Sequence, residues 1–286
     1  MNKQITVSAP AKINRFLHII GQRSDGYHLL QTAFQLIDLE DLITLTASTA
    51  PDIIRVDGLA NIPPEADLVV RAAKLLQATT QINLGCSIRL QKNIPMGAGL
   101  GGGSSDAASV LWGLNELWGT QLKRADLMKL GLQLGADVPF FLFGQNAFAE
   151  GVGEVLQAIS LPESEFLVIY PEVNIPTVDI FKSPNLTRNH PPVTMSDFIG
   201  SAQLDQFGSN DCESVVIQKY QEVAEAISWL KQRIPQSNPR MSGSGSSVFA
   251  TVEADLAKEL LNQLPQRWKG FVVRGLNSHP SYNPIS

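Results

Sequence analysis

Only two cysteines, Cys86 and Cys212, occur in the chain, and neither sits in a CxxC spacing. That excludes a disulfide framework and a cysteine-ligated zinc centre, and it fits a reducing compartment. No uncharged apolar run is long enough to cross a bilayer as a helix. The opening Met1-Asn2-Lys3-Gln4-Ile5-Thr6 lacks the apolar stretch of a secretory leader, so the expectation is a cytoplasmic protein without membrane attachment. Lysine and arginine never gather into a block and the net charge is −5, which makes nucleic acid an unsuitable partner. An anionic ligand would be repelled by the global field. It would have to be held by local devices: backbone N–H groups, a helix N-terminus and a few cations.

What is present reads as an ordinary globular protein, 44% hydrophobic and 17% charged, with 286 residues for one large or two modest domains. Strand-like segments are expected at residues 5–8, 13–20, 34–45 and 53–56, interrupted by the turn Ser24-Asp25-Gly26. Residues 68–77 read as a helix capped by Asp67, and residues 87–90 as a strand. Ala107, Val110, Leu111, Leu114, Leu117 and Trp118 recur at helical spacing up to Gly119. A further helix is expected over residues 126–134, then strands at 139–143, 147–150 and 166–170. A loop-rich stretch follows at 181–192, and then one long helix at 213–233. A serine–glycine loop at 242–247 leads into a strand (248–252), a helix (254–264) and a strand (271–274). Helices and strands mix without regular alternation, so the fold class is α+β, with two domains meeting near residue 155.

The most informative run is Pro95-Met96-Gly97-Ala98-Gly99-Leu100-Gly101-Gly102-Gly103-Ser104-Ser105-Asp106. Five of the seven residues from Gly97 to Gly103 are glycine. Such density costs chain entropy unless the backbone needs positive φ or must approach something closely. Successive inward N–H groups form an anion nest, and a helix starting near Ser105 would aim its positive end at the same place. A flexible linker is the bland alternative, but linkers of that kind do not carry Leu100 straight into an amphipathic helix. A Walker A loop requires a lysine that is missing here. Gly97, Gly99 and Gly102 satisfy GxGxxG, yet the following region is helical where the dinucleotide fingerprint wants an acidic residue ending a second strand.

Three motifs, in order, resemble the GHMP kinase superfamily: Ser8-Ala9-Pro10-Ala11-Lys12-Ile13-Asn14, the glycine run, and Met241-Ser242-Gly243-Ser244-Gly245-Ser246-Ser247. Gly21-Gln22-Arg23-Ser24-Asp25-Gly26-Tyr27-His28, Gly135-Ala136-Asp137-Val138-Pro139-Phe140-Phe141 and Ala149-Glu150-Gly151-Val152-Gly153-Glu154 are similar to the branch acting on a cytidine diphosphate sugar alcohol. The resemblance implies an ATP-dependent small-molecule kinase of isoprenoid precursor supply by the non-mevalonate route. Its active site would lie in a cleft between an ATP-binding domain, residues 1–155, and a substrate-binding domain, residues 156–286.

By the same resemblance, Asp137 is the general base and Lys12 its neighbour. The ATP phosphates lie on the run from Pro95 to Ser105, and Tyr27, His28 and Phe181 take the cytidine. Asn14 and Thr177 touch the substrate. Mg²⁺ accompanies ATP, its ligand left open among Ser104, Ser105 and Asp106. Taken alone, Lys12 would be an exposed strand lysine, Asp137 a turn residue, and the aromatic residues core; their place inside matched motifs favours function. His18, His190 and His279 are expected bystanders. Asp67 stands where the resemblance has an asparagine near the adenine, and its expected role is N-capping. Homoserine-type alcohols and a non-catalytic nucleotide or sugar sensor are the alternatives; the joint presence of Lys12 and Asp137 speaks against the sensor.

Overall fold

Strands β1 (Gln4–Gln22) and β2 (His28–Ser48) form a long antiparallel hairpin closed by the turn at Gly26. A computed structural model describes residues 3–57, 63 and 65–282. Bulges interrupt the hairpin between Pro10 and Ala11 and between Asn14 and Leu17. A bulge bends its strand and re-aims the neighbouring side chains, and Lys12 and Asn14 sit on the short regularly paired stretch between the two.

The chain continues through β3 (Ile53–Arg55), α1 (Leu68–Thr80), β4 (Gly85–Gln91), α2 (Gly102–Trp118), α3 (Arg124–Leu134), α4 (Val138–Phe143), β5 (Ala147–Glu150) and β6 (Val155–Ala158). It then forms β7 (Glu165–Tyr170), α5 (Thr177–Phe181), α6 (Met195–Ile199), α7 (Glu213–Lys219), α8 (Gln221–Arg233), β8 (Arg240–Met241), β9 (Val248–Thr251), α9 (Ala254–Asn262) and β10 (Lys269–Leu276). The fold is α+β. Hydrogen-bonded strands run in the order β3-β4-β2-β10-β7-β9-β8, with β1 and β5 also on β2 and β6 on β5. Strand β10 joins the two parts, pairing with β7 over Lys269–Arg274 and with β2 at Gly275 and Leu276.

Two main cores follow the helical periodicity. Val70, Ala73 and Leu76 of α1 pack with Leu111 and Leu114 of α2 onto Leu45 and Ile88 of the sheet. Val223, Ile227 and Leu230 of α8 pack with Ile169, Val248 and Trp268. Among the described residues no helix is long and apolar enough to cross a membrane.

Some local expectations are corrected. Residues 139–143, expected as a strand, form the buried helix α4, with Pro139 in its first turn and Gly144 at φ 77° ending it. An apolar run buried all round carries no period, and the proline at the helix start was the available signal. The helix expected over 213–233 is two helices broken at Tyr220, whose φ of −125° and ψ of 95° are extended. Helix α2 starts at Gly102 rather than near Ser105. Strand β6 and helices α5 and α6 were not expected. Asp67 caps α1, its carboxylate accepting from the Val69 N–H at 3.0 Å.

Candidate active site

Gly97, Gly99 and Gly101 all have positive φ, between 66° and 75°, and Gly101 is the N-cap of α2. Each such turn rotates a peptide so that its N–H faces inward, and the first N–H groups of α2 have no intrahelical partner. The loop is also clamped from the far end of the chain. Ser242 Oγ donates to the Gly99 carbonyl at 3.0 Å, and the Ser247 N–H donates to the Ala98 carbonyl at 2.9 Å. A Cβ on Gly99 would lie 2.3 Å from the Ser242 carbonyl oxygen, so only glycine permits that approach.

The Lys12 N–H donates to the Leu100 carbonyl at 3.0 Å, which hangs β1 on the loop. Lys12 Nζ donates to Asn14 Oδ1 at 2.6 Å and lies 3.6 Å from Asp137 Oδ2. Asn14 Nδ2 donates to Thr32 Oγ1 at 2.9 Å. Burial pushes the Lys12 ammonium below the ordinary lysine range, and Asp137 opposes that push. Asp137 stands at the N-terminus of α4 without making a side-chain cap, so its carboxylate is free to face Lys12.

These groups share a cleft of about 1390 Å³ with Tyr27, His28, Thr177 and Phe181. Pockets for one small ligand run to roughly 300–1,000 Å³, so this one has room for two. Residues 95 to 104 line the cleft. Ser105 does not; it is fully buried inside α2 with its hydroxyl unpartnered among the described residues. His28 and Phe181 rings meet at 5.1 Å, while Tyr27 stands 63% exposed on the turn after β1. Thr177 Oγ1 hydrogen-bonds Ser244 Oγ at 2.8 Å, tying α5 to the C-terminal serine–glycine loop. His18 stacks on His190 at 3.5 Å and His279 on Tyr282 at 3.6 Å, all outside the cleft.

Two groups at the cleft were not singled out as such from the sequence, although Asp106 stood among the candidate Mg²⁺ ligands. One is Arg188, hydrogen-bonded to His28. The other is a buried cluster in which Lys92 Nζ pairs with Asp41 and, at 2.8 Å, with Asp106 Oδ2. Asp41 also accepts from the Ile94 N–H at 2.8 Å, while Asp106 Oδ1 has no partner among the described residues. Burial pushes the Asp106 carboxyl up from 3.8 to about 7; Lys92 opposes the rise and Asp41 adds to it. A carboxyl raised in this way holds its proton longer in the folded than in the unfolded chain. Its contribution to stability is therefore lost as pH rises from 3.8 towards 7. In Asp106→Asn that loss should vanish. Melting curves of the ligand-free proteins should show the variant gaining on the wild type as pH rises from about 4 to about 7. A gap that narrows over that range contradicts the assignment.

The family models for the GHMP kinases N terminal domain and the GHMP kinases C terminal match residues 67–145 and 195–270. The 4-diphosphocytidyl-2-C-methyl-D-erythritol kinase of Polynucleobacter asymbioticus is 54% identical, the alignment covering 100% of this chain and 99% of that one. A solved structure of a 4-(cytidine 5'-diphospho)-2C-methyl-D-erythritol kinase aligns with TM-score 0.82 and 31% identity, covering 96% of this chain and 100% of that one. Homoserine kinase from Cytophaga hutchinsonii has the same fold, with TM-score 0.68, 19% identity and coverage of 98% and 96%. The chain belongs to the GHMP kinases, in the family of the 4-diphosphocytidyl-2-C-methyl-D-erythritol kinases. Members of that family are kinases, and ATP is the phosphoryl donor.

Proposed function

We propose that this chain transfers the γ-phosphoryl group of ATP to the 2-hydroxyl of 4-diphosphocytidyl-2-C-methyl-D-erythritol, in the cytoplasm, on the non-mevalonate route to isoprenoid precursors. The observation that carries the mechanism is the Lys12–Asp137 pair, 3.6 Å apart, in the cleft that the glycine loop lines. Phosphoryl transfer asks chiefly for positioning and charge neutralisation, with a carboxylate to take the hydroxyl proton. Asp137 is the base. Lys12 offsets charge on the group in flight, and Asn14 holds Lys12 at that station. Residues 1–155 form the ATP-binding part and residues 156–286 bring Thr177 and Phe181 to the substrate. Homoserine and a non-catalytic sensor are the weaker readings.

Four lysines and arginines (Lys12, Lys92, Lys182, Arg188) and four aspartates (Asp25, Asp67, Asp106, Asp137) line the cleft, so side chains alone give it no excess of positive charge. Backbone N–H groups and a divalent cation would supply the difference. Among the described residues no group of three or more His, Cys, Asp or Glu could hold a metal. Mg²⁺ keeps waters and phosphate oxygens and needs few protein ligands. The Ser104 hydroxyl and the unpartnered Asp106 Oδ1 are the hard oxygen donors that would hold it. When bound, it would neutralise charge on the β- and γ-phosphates.

A coupled assay of ADP release, with and without the cytidyl substrate, tests this reading; ATP turnover that ignores the cytidyl compound, or none at all, defeats it. Base contacts position the substrate without joining in bond making. Phe181→Ala should therefore raise KM for the cytidyl substrate about tenfold, with KM for ATP nearly unchanged. If the variant weakens ATP instead, the two ligands have been assigned to the wrong ends of the cleft.

A further inference from the structure

Arg188 makes four hydrogen bonds, and one of them constrains chemistry. Its Nη1 donates to the Leu186 carbonyl at 3.1 Å, and its Nη2 to the Phe181 and Ser183 carbonyls, each at 2.9 Å. Its Nε donates to His28 Nε2 at 3.0 Å. A guanidinium has no acceptor atoms and stays protonated, so His28 Nε2 must accept. A neutral imidazole accepting at Nε2 carries its proton on Nδ1. Nδ1 has no protein partner among the described residues, and His28 lines the cleft. Burial first, and then the Arg188 charge, lower the pKa of His28, which holds the ring in that neutral form. The same arginine ties down the backbone of Phe181, whose ring packs against His28.

We infer that Arg188 is a positioning residue that fixes His28 as an Nδ1–H donor towards the cleft, and that this donor selects cytosine over uracil. The inference rests on the reading that the Tyr27–His28–Phe181 end takes the base. Cytosine N3 is a bare acceptor, so a fixed donor that faces N3 is satisfied, whereas the O2 acceptor is common to both bases and cannot discriminate. Uracil carries a proton on N3. A donor facing it finds no acceptor there, and both polar groups lose their partners in a partly dry site. The locked tautomer matters because a free histidine could present its bare nitrogen to uracil N3–H and accept both bases. Arg188 removes that option by occupying the other nitrogen with a donor of its own.

Two measurements test this. In ¹⁵N-labelled full-length protein without ligands, long-range imidazole spectra should show His28 protonated at Nδ1 and bare at Nε2. Kinetically, the wild type should prefer the cytidyl substrate over its uridyl analogue in kcat/KM by about 10–100-fold. In Arg188→Met, the Nε2–H form should appear and the preference should fall at least about tenfold, with KM for ATP unchanged. Arg188→Lys keeps a donor towards Nε2 and should restore part of the preference. A wild-type spectrum protonated at Nε2 overturns the inference and requires no variant to fold. Undiminished preference in Arg188→Met overturns it as well. A wild-type enzyme that turns over neither substrate defeats the proposed function instead, while the spectrum still decides the tautomer.

Discussion

Asp137→Asn should lower kcat by about 10²–10⁴, the loss expected when a general base is removed, while the affinity for ATP stays close to wild type. The amide keeps the size of the carboxylate, and α4 loses no cap because the Asp137 side chain makes none. What the variant does lose is the counter-charge to buried Lys12, so its melting temperature should fall modestly as well. Single-turnover kinetics with ATP and the cytidyl substrate separate the two effects. A variant that binds ATP normally and still turns over at near wild-type rate removes Asp137 from the role of base.

The second large effect concerns the loop backbone. Gly101→Val should abolish detectable ATP binding by calorimetry in a protein that still folds. At φ 73°, Gly101 occupies the left-handed region, which a β-branched residue resists. Space is also short: a Cβ there would lie 2.8 Å from the Phe141 ring and 3.2 Å from Lys12 Cε. The loop would have to turn its peptides away from the nest, and Lys12 would be pushed from its station. Glycine at this position therefore serves the anion nest and the lysine together. Wild-type ATP affinity in the variant would sink the phosphate-loop assignment.

The glycine run could be read from the sequence because its physical demand is local. Positive φ and close approach leave no choice but glycine, and the helical period after it is equally local. The Asp67 cap was legible for the same reason. Lys12 and Asp137 were not legible from spacing. Their meaning depends on a contact across 125 residues, and only resemblance to known motifs singled them out. The cluster of Asp41, Lys92 and Asp106 lies beyond any such reading, since three ordinary charged residues on β2, after β4 and on α2 meet only once the sheet and α2 have packed. Arg188 sat in a proline-rich loop with no period, where a sequence shows polarity and no direction. Helix α4 was mistaken for a strand because Val138-Pro139-Phe140-Phe141-Leu142-Phe143 is apolar at every position and its burial is complete at five of the six or nearly so.

The clamp on the glycine loop has a consequence for how the protein is made. Ribosomal synthesis proceeds from the N-terminus, and the loop with its helix emerges long before Ser242 and Ser247, which hold the Gly99 and Ala98 carbonyls. A nascent chain ending short of those serines has the glycines without the geometry. Strand β10 comes later still, and until it arrives the β2 edge that it covers at Ile37 and Leu36 offers unpaired peptide groups to any passing strand. On the proposed phosphate-loop reading, nucleotide cannot template the early steps of folding. For most of translation the emerging chain depends on its own first core and on whatever shields that bare edge, and, on the same phosphate-loop reading, competence to bind ATP arrives only when nearly all of it has left the ribosome.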